Sequence, residues 1–431
     1  MKYFSLKDKS HSSTFENAVL KGLAPNKALY FPEVIPKLPK SFFERLNTLS
    51  HTEIGFEVIK QYVGDEIPVS ELKNIVEKTL NFDFPVVPVE ENIKCLELFH
   101  GPTLAFKDVG AKFMAGSLGY FLKKGNVGKI TVLVATSGDT GGAVANGFIG
   151  VEGVDVVILY PKGKVSDIQE RQLTTLGKNI MALEVDGAFD LCQDLVKQAF
   201  QDEEIQKERQ LTSANSINVA RWLPQMFYYF LAYKQLPSEE KKLVFSVPSG
   251  NFGNICAGFL AREMGLPIDH FVAANNANRV VTDYLETEKY EPKPSVQTVS
   301  NAMDVGNPSN FVRVQELFNN EFNGLKSNLS SYSFDDETTK AAIKDVYGRT
   351  GYTLDPHGAV GYLGLKCFLN QHPEYNGVFL ETAHPVKFLE TVEEATGDQL
   401  DLPSSVKDLL NLEKKSLPIK DYKELKEFLL K

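Results

Sequence analysis

Short runs of β-branched and aliphatic residues recur along the middle and end of the chain, and each ends in a polar turn that opens an amphipathic stretch. KITVLVA leads into TSGDTGGAVANGF, VDVVILYP into SDIQERQLTTLG, and NIMALEV into AFDLCQDLVKQAF. Further on, KLVFSV precedes PSGNFGNICAGFLAREMG, HFVAA precedes NNANRVVTDYL, and GVFLE precedes TAHPVKFLETVEEATG. Continuous apolar strands alternating with helices predict parallel sheets covered on both faces, an α/β fold. Residues 1–90 break this rhythm. They are punctuated by proline from Pro25 to Pro39 and then read as helices around SFFERLNTLSHTEIGFEVIKQYV and SELKNIVEKTL, which suggests an accessory layer.

The pattern divides the remainder into a smaller α/β domain over 91–210 and a larger one over 211–431, with the break near residues 200–215, where QDEEIQKERQ is a charged run. Such a run reads equally as a solvated helix end. There is no internal repeat and no low-complexity segment.

Composition narrows the function. With 46 Lys and Arg against 56 Asp and Glu, the formal net charge of −10 argues against a nucleic-acid surface. No apolar run is long enough to span a bilayer, and MKYFSLKDKSHSSTFENAVLKG lacks a secretory signal, so a cytoplasmic protein is expected. Cys95, Cys192, Cys256 and Cys367 form no CxxC pair and read as buried free thiols.

Ligands in parallel α/β folds bind at the carboxyl ends of strands, so the polar turns carry the chemistry. PSGNFGN (248–254) follows a strand and opens a helix, where inward N–H groups and the helix N-terminus suit a phosphate. It could equally be only a tight connection. TSGDTGG (136–142) repeats the design with more hydroxyls: Thr136, Ser137, Gly138 and Thr140 suit a small carboxylate, or form a capped Asp-Gly turn. In ETAHP (381–385), Thr382 is placed to bond a heterocycle nitrogen, while His384 reads as structural. The chain lacks GxxxxGK[ST] and a strand-following GxGxxG, and no histidine has a partner at metal or triad spacing.

Lys107 sits in LFHGPTLAFKD, behind Leu104, Ala105 and Phe106 and at a helix start. An apolar approach and the helix dipole both disfavour the ammonium and favour a nucleophilic amine. The bland reading is a lysine whose stem packs while its head meets Asp108 or solvent.

Taken in order, LFHGPTLAFKD, ATSGDTG, LTSANSIN (211–218), VPSGNFG, SNAMDVG (300–306) and TAHP resemble the threonine synthase family, in its longer form with an N-terminal extension. The resemblance spans essentially the whole chain. It implies two parallel-sheet domains of the tryptophan-synthase-β kind (pyridoxal-phosphate fold type II) plus the N-terminal region. It further implies a Schiff base between Lys107 and pyridoxal 5'-phosphate, with the cofactor phosphate on Ser249, Gly250, Asn251, Phe252 and Gly253. Thr382 would face the pyridine nitrogen and Asp139 the cofactor's 3'-oxygen, and the TSGDT loop would hold the substrate carboxylate. For the substrate phosphate, Lys112, Ser213, Asn215, Asn218 and Arg221 are expected, because SANSINVAR offers hydroxyls, amides and a cation. Some members carry an acidic residue where this chain has Asn254. The implied reaction turns O-phospho-L-homoserine and water into L-threonine and phosphate, by a monomer or homodimer with no nucleic-acid or membrane partner. Two alternatives stay open: a serine/threonine dehydratase or cysteine synthase of the same fold, and a non-catalytic binder of phosphorylated metabolites.

Overall fold

The computed structural model describes residues 1–125, 128–237 and 241–431. The chain begins with an antiparallel sheet of β1 (Lys2–Ser5), β2 (Asp8–Thr14) and β3 (Tyr30–Pro32), ordered β2-β1-β3. The helices Lys40–Arg45, His51–Val63 and Val69–Thr79 follow where the sequence pattern placed them. Ser50 and Glu53 form a capping box that starts the second of these.

This layer holds the helix that begins at Lys107. Phe15 packs edge-on against Phe121 of helix Lys107–Lys124 with ring centroids 6.1 Å apart. A methyl on Gly116 of that helix would lie 2.9 Å from Ile75, so glycine lets the two helices close up.

Two further sheets carry the α/β part. The smaller is fully parallel, ordered β14-β8-β7-β6-β9, with β6 (Ile130–Ala135), β7 (Val154–Pro161), β8 (Ile180–Val185), β9 (Gln210–Thr212) and β14 (Leu417–Ile419). The larger is ordered β12-β11-β10-β13-β5-β4, from β4 (Val86–Glu90), β5 (Ile93–Glu97), β10 (Lys242–Pro248), β11 (His270–Asn275), β12 (Leu329–Ser333) and β13 (Tyr375–Glu381). Only its β4–β5 pair is antiparallel. All six residues of β6 are buried, which is why Thr131 is the one polar residue in its run.

The strand pairing departs from the linear division at 91 and 211. β5 lies along β13 in the larger sheet, and the C-terminal β14 completes the smaller one. Apolar patterning reveals that a strand is buried, not which neighbour it joins. The charged run at 201–210 is the helix Glu203–Glu208, capped by Asp202 and followed directly by β9, which still pairs with β6. The run itself is a solvated helix end that leads into the smaller sheet.

Candidate active site

The turns after β6, β10 and β13 meet at one cleft between the two larger sheets, joined there by the first turn of helix Lys107–Lys124 and by Asn215, Ser216 and Arg221.

Ser249–Gly253 forms the floor. Residues 300–310 brace it from behind: a methyl on Gly250 would lie 2.9 Å from the Met303 Cα, and Asn251 Oδ1 accepts from the Ser309 amide and hydroxyl at 3.2 and 3.0 Å. Phe252 takes the left-handed region (φ 60°), and its buried ring packs edge-on against Phe311 at 5.4 Å. That backbone turn opens helix Gly253–Glu263, whose first N–H groups have no acceptor within the helix. Asn254 adds a buried, unpartnered Nδ2; its Oδ1 is taken by the Tyr229 hydroxyl at 2.9 Å. Ser249 turns its own hydroxyl back to the Val247 carbonyl at 2.8 Å, so it contributes backbone rather than side chain.

Lys107 is half-buried on the cleft wall, its Nζ 5.7 Å from the centre of the Phe106 ring. Burial lowers its pKa to about 8; Asp139 opposes that shift, and Arg221 and Lys387 reinforce it. An amine poised near neutrality, an amide-lined cradle and Thr382 in one cleft fit pyridoxal 5'-phosphate: amine for the aldehyde, cradle for the phosphate, and hydroxyl for the ring nitrogen.

Asp139 does not line this cleft. It is buried, and its Oδ1 accepts from Lys387 Nζ at 2.7 Å and Gln169 Nε2 at 3.0 Å. Burial alone would raise its pKa, but the Lys387 and Lys107 ammonium groups hold the carboxyl well below the usual range. Lys387 is itself fully buried and also donates to the Thr103 carbonyl at 2.9 Å.

Within the same loop, the Thr136 hydroxyl accepts from the Gly138 and Gly141 amides, each at 2.9 Å, so it shapes the turn. Gly138 has φ 136°, with the Gln169 side chain 2.5 Å from where a Cβ would be. Ser137 is half-buried off the cleft, and Thr140 lines it.

Arg221 stands across from the cradle, 3% exposed, and its Nε and Nη1 are buried without a partner. Burial draws its pKa down to about 10, yet it stays charged at neutral pH. A buried, unpaired guanidinium on a cleft is an anion site. Asn215 joins it there, with Nδ2 directed to the Ala135 carbonyl at 3.3 Å.

The other expected phosphate ligands point elsewhere. Lys112 Nζ donates to Asn81 Oδ1 at 2.8 Å and lies over Phe82, because five residues along a helix turns a side chain about 140° from Lys107. Asn218 caps helix Val219–Trp222 and donates to the Val19 carbonyl at 2.9 Å, while the Ser213 hydroxyl bonds to Asn215 Oδ1 at 3.3 Å. Ser216, Gln225, Tyr228, Asn254, Ala302, Met303 and His357 line the cleft without having been given a role from the sequence. Only Ser216, Asn254, Ala302 and Met303 lay inside motifs that could have pointed to them. Tyr228 donates its hydroxyl to the Phe106 carbonyl, next to Lys107.

Comparison with known proteins agrees with this geometry. Residues 89–380 match the family model described as pyridoxal-phosphate dependent enzyme. Residues 2–80 match that of the threonine synthase N terminus and 358–429 that of the threonine synthase C-terminal region. Threonine synthase of Escherichia coli K12 is 46% identical over 413 residues, covering 96% of this chain and 95% of the relative. The crystal structure of threonine synthase from E. coli superposes with a TM-score of 0.93 at 43% identity, covering 100% and 99% of the two chains. A pyridoxal-phosphate-bound threonine synthase structure from Brucella melitensis gives 0.92 at 34%, with the same coverage. A cradle, a near-neutral lysine and a second anion site on this fold, with likeness along the whole length, have one meaning: the chain belongs to the threonine synthase family of pyridoxal-phosphate-dependent lyases.

Proposed function

We propose that this enzyme converts O-phospho-L-homoserine and water into L-threonine and phosphate. The observation that carries this reading is Arg221, whose two unpaired guanidinium nitrogens create an anion site distinct from the cradle of Ser249–Gly253 in the same cleft. A dehydratase or cysteine synthase acting on a substrate without a distal phosphate has no use for a second buried cation there.

The residues divide the work. Ser249–Gly253 and Asn254 would hold the cofactor phosphate, and Thr382 would meet the ring nitrogen. When bound, pyridoxal phosphate supplies a ring that withdraws negative charge from the substrate's carbon chain. Lys107 carries the cofactor through its amine. With a pKa of about 8, the freed amine can accept and return protons at the substrate's α- and β-carbons near neutral pH. Thr140 and the amides of its loop would orient the carboxylate, and Arg221 with Asn215 and Ser216 would grip the phosphoryl group until it leaves the γ-carbon. Tyr228 and Phe106 wall the lysine side of the cleft.

This reading places the enzyme in the cytoplasm as a monomer or homodimer. No described helix is long and apolar enough to cross a membrane.

Two measurements test it. Threonine and phosphate formed from O-phospho-L-homoserine should far exceed pyruvate formed from L-serine; the reverse ratio would favour a dehydratase. Borohydride reduction followed by peptide mapping should place the pyridoxyl label on Lys107. Lys107→Ala should lose the label, the colour and threonine formation together, and a label on another lysine would remove the basis of the proposal.

A further inference from the structure

One acceptor in the cleft is left unsatisfied by the protein. Gln225 ends the short 3₁₀ turn Leu223–Gln225, is 6% exposed, and lines the cleft beside Arg221. Its amide orientation is fixed by chemistry. Nε2 donates to the Arg221 carbonyl at 3.0 Å, and a flipped amide would set oxygen against oxygen there. Oε1 is therefore the free end, and it is buried with no donor.

Two residues lining the cleft, tied by the Gln225 bond to the Arg221 carbonyl, thus carry unsatisfied buried groups: the guanidinium Nε and Nη1 of Arg221 and the amide oxygen of Gln225. A fully ionised oxyanion answers the guanidinium but leaves the amide oxygen facing another acceptor. A group that answers both carries anionic oxygens together with an O–H. Phosphoryl groups in their proton-bearing forms do so; sulfate at neutral pH does not.

Resting on the reading of this cleft as the substrate-phosphate subsite, we infer that Gln225 is a specificity-determining residue. It admits the phosphoryl group of the substrate, and the phosphate released from it, through a P–OH donated to Oε1. A phosphate that keeps its proton is also the weaker base and the better leaving group.

The test is calorimetric titration of the cofactor-loaded enzyme, whose cradle is then filled, with inorganic phosphate and with sulfate at equal ionic strength. Wild type should bind phosphate at least about tenfold tighter than sulfate, because a buried acceptor left unpaired penalises the anion without a proton. Gln225→Met, of similar volume, should bring the two anions within about twofold, chiefly by weakening phosphate. Equal affinity in the wild type overturns the inference, whatever the variant does. So does a tenfold preference that survives in a Gln225→Met protein with unaltered cofactor absorbance. The subsite itself is tested separately by Arg221→Met. If phosphate binding persists unchanged there, or if wild type binds neither anion, the reading of the cleft fails and the role of Gln225 fails with it.

Discussion

Gly110 faces the backbone of Arg221 so closely that a Cβ on it would lie 2.6 Å from the Arg221 carbonyl oxygen and 3.4 Å from its Nε. The lysine-bearing helix and the proposed phosphate-binding arginine are therefore set against each other with no side chain between them. Gly110→Ala should improve helix propensity by roughly 0.5–1 kcal/mol, but the overlap must push the helix and Arg221 apart at a cost of about 1–3 kcal/mol. The expected outcome is a modest net loss of stability in urea. KM for the phosphorylated substrate should rise about tenfold or more, since a small displacement at the reacting group is amplified in rate and binding. Cofactor absorbance should be retained. An unchanged KM would separate Gly110 from the arginine's placement.

Lys107 gives the apoprotein a characteristic dependence on pH. Its pKa falls from 10.5 to about 8 on folding, chiefly through burial. Between these values the unfolded chain holds a proton that the folded one has released, so stability rises with pH across the window from 8 to 10.5. Below pH 8 the folded protein bears the full cost of a half-buried ammonium, on the order of 3 kcal/mol. Lys107→Met should therefore make the apoprotein more stable than wild type at pH 7, with the gap narrowing above pH 8 and closing near 10.5. Parallel denaturation curves at pH 7, 9 and 10.5 measure it, and a constant gap would contradict the burial argument.

The strands were legible because parallel strands buried on both faces admit few polar residues: VDVVILYP coincides with β7 from end to end. The cradle, the lysine and the TAHP turn were legible for the same reason, being the polar stretches that interrupt such runs. What the sequence hid is what depends on distance in space. Lys387 lies 248 positions from Asp139 in the chain, and nothing in TAHPVKF marks it as the partner of a loop on the other sheet. Gln225 sits in an apolar run whose pattern announces only burial. The N-terminal layer looked like support and is support of a specific kind. The Val19 carbonyl accepts from Thr212 and Asn218, and that of Tyr30 from the buried Arg313, which also donates to Ser216 and Ile217. The segment carrying Asn215 and Ser216 is thereby tied to residues 1–30. Lys112 is the miss that helical periodicity could have prevented.

That tie makes Arg313 a further point of test. It is fully buried, lies 4.1 Å from the Trp222 ring centre, and makes bonds to carbonyls on two segments. Arg313→Lys cannot reproduce a planar fork that reaches both sides. We expect it to weaken phosphate binding at the Arg221 site severalfold while pyridoxal phosphate stays bound. Equal losses of both ligands would indicate general unfolding instead.

The Lys387–Asp139 pair joins the turn after β13 to the turn after β6, out of contact with solvent. Lys387→Met leaves a buried carboxylate with Gln169 as its remaining side-chain hydrogen-bond partner, and breaking such a pair costs on the order of 3–5 kcal/mol. Adding Asp139→Asn removes the stranded charge, so the double variant should recover most of the loss. The depressed pKa of Asp139 means that the pair's contribution is full above about pH 4 and fades as acid protonates the carboxylate. The pair also acts on Lys107 from both signs: Asp139 raises its pKa and Lys387 lowers it. Lys387→Met should therefore move the midpoint of Lys107 alkylation in the apoprotein above 8, and Asp139→Asn should move it below. Midpoints that stay fixed while stability falls would show that the pair braces the loops without tuning the lysine. Opposite shifts would show that the charge balance around the reactive amine is set by a residue lying outside the cleft.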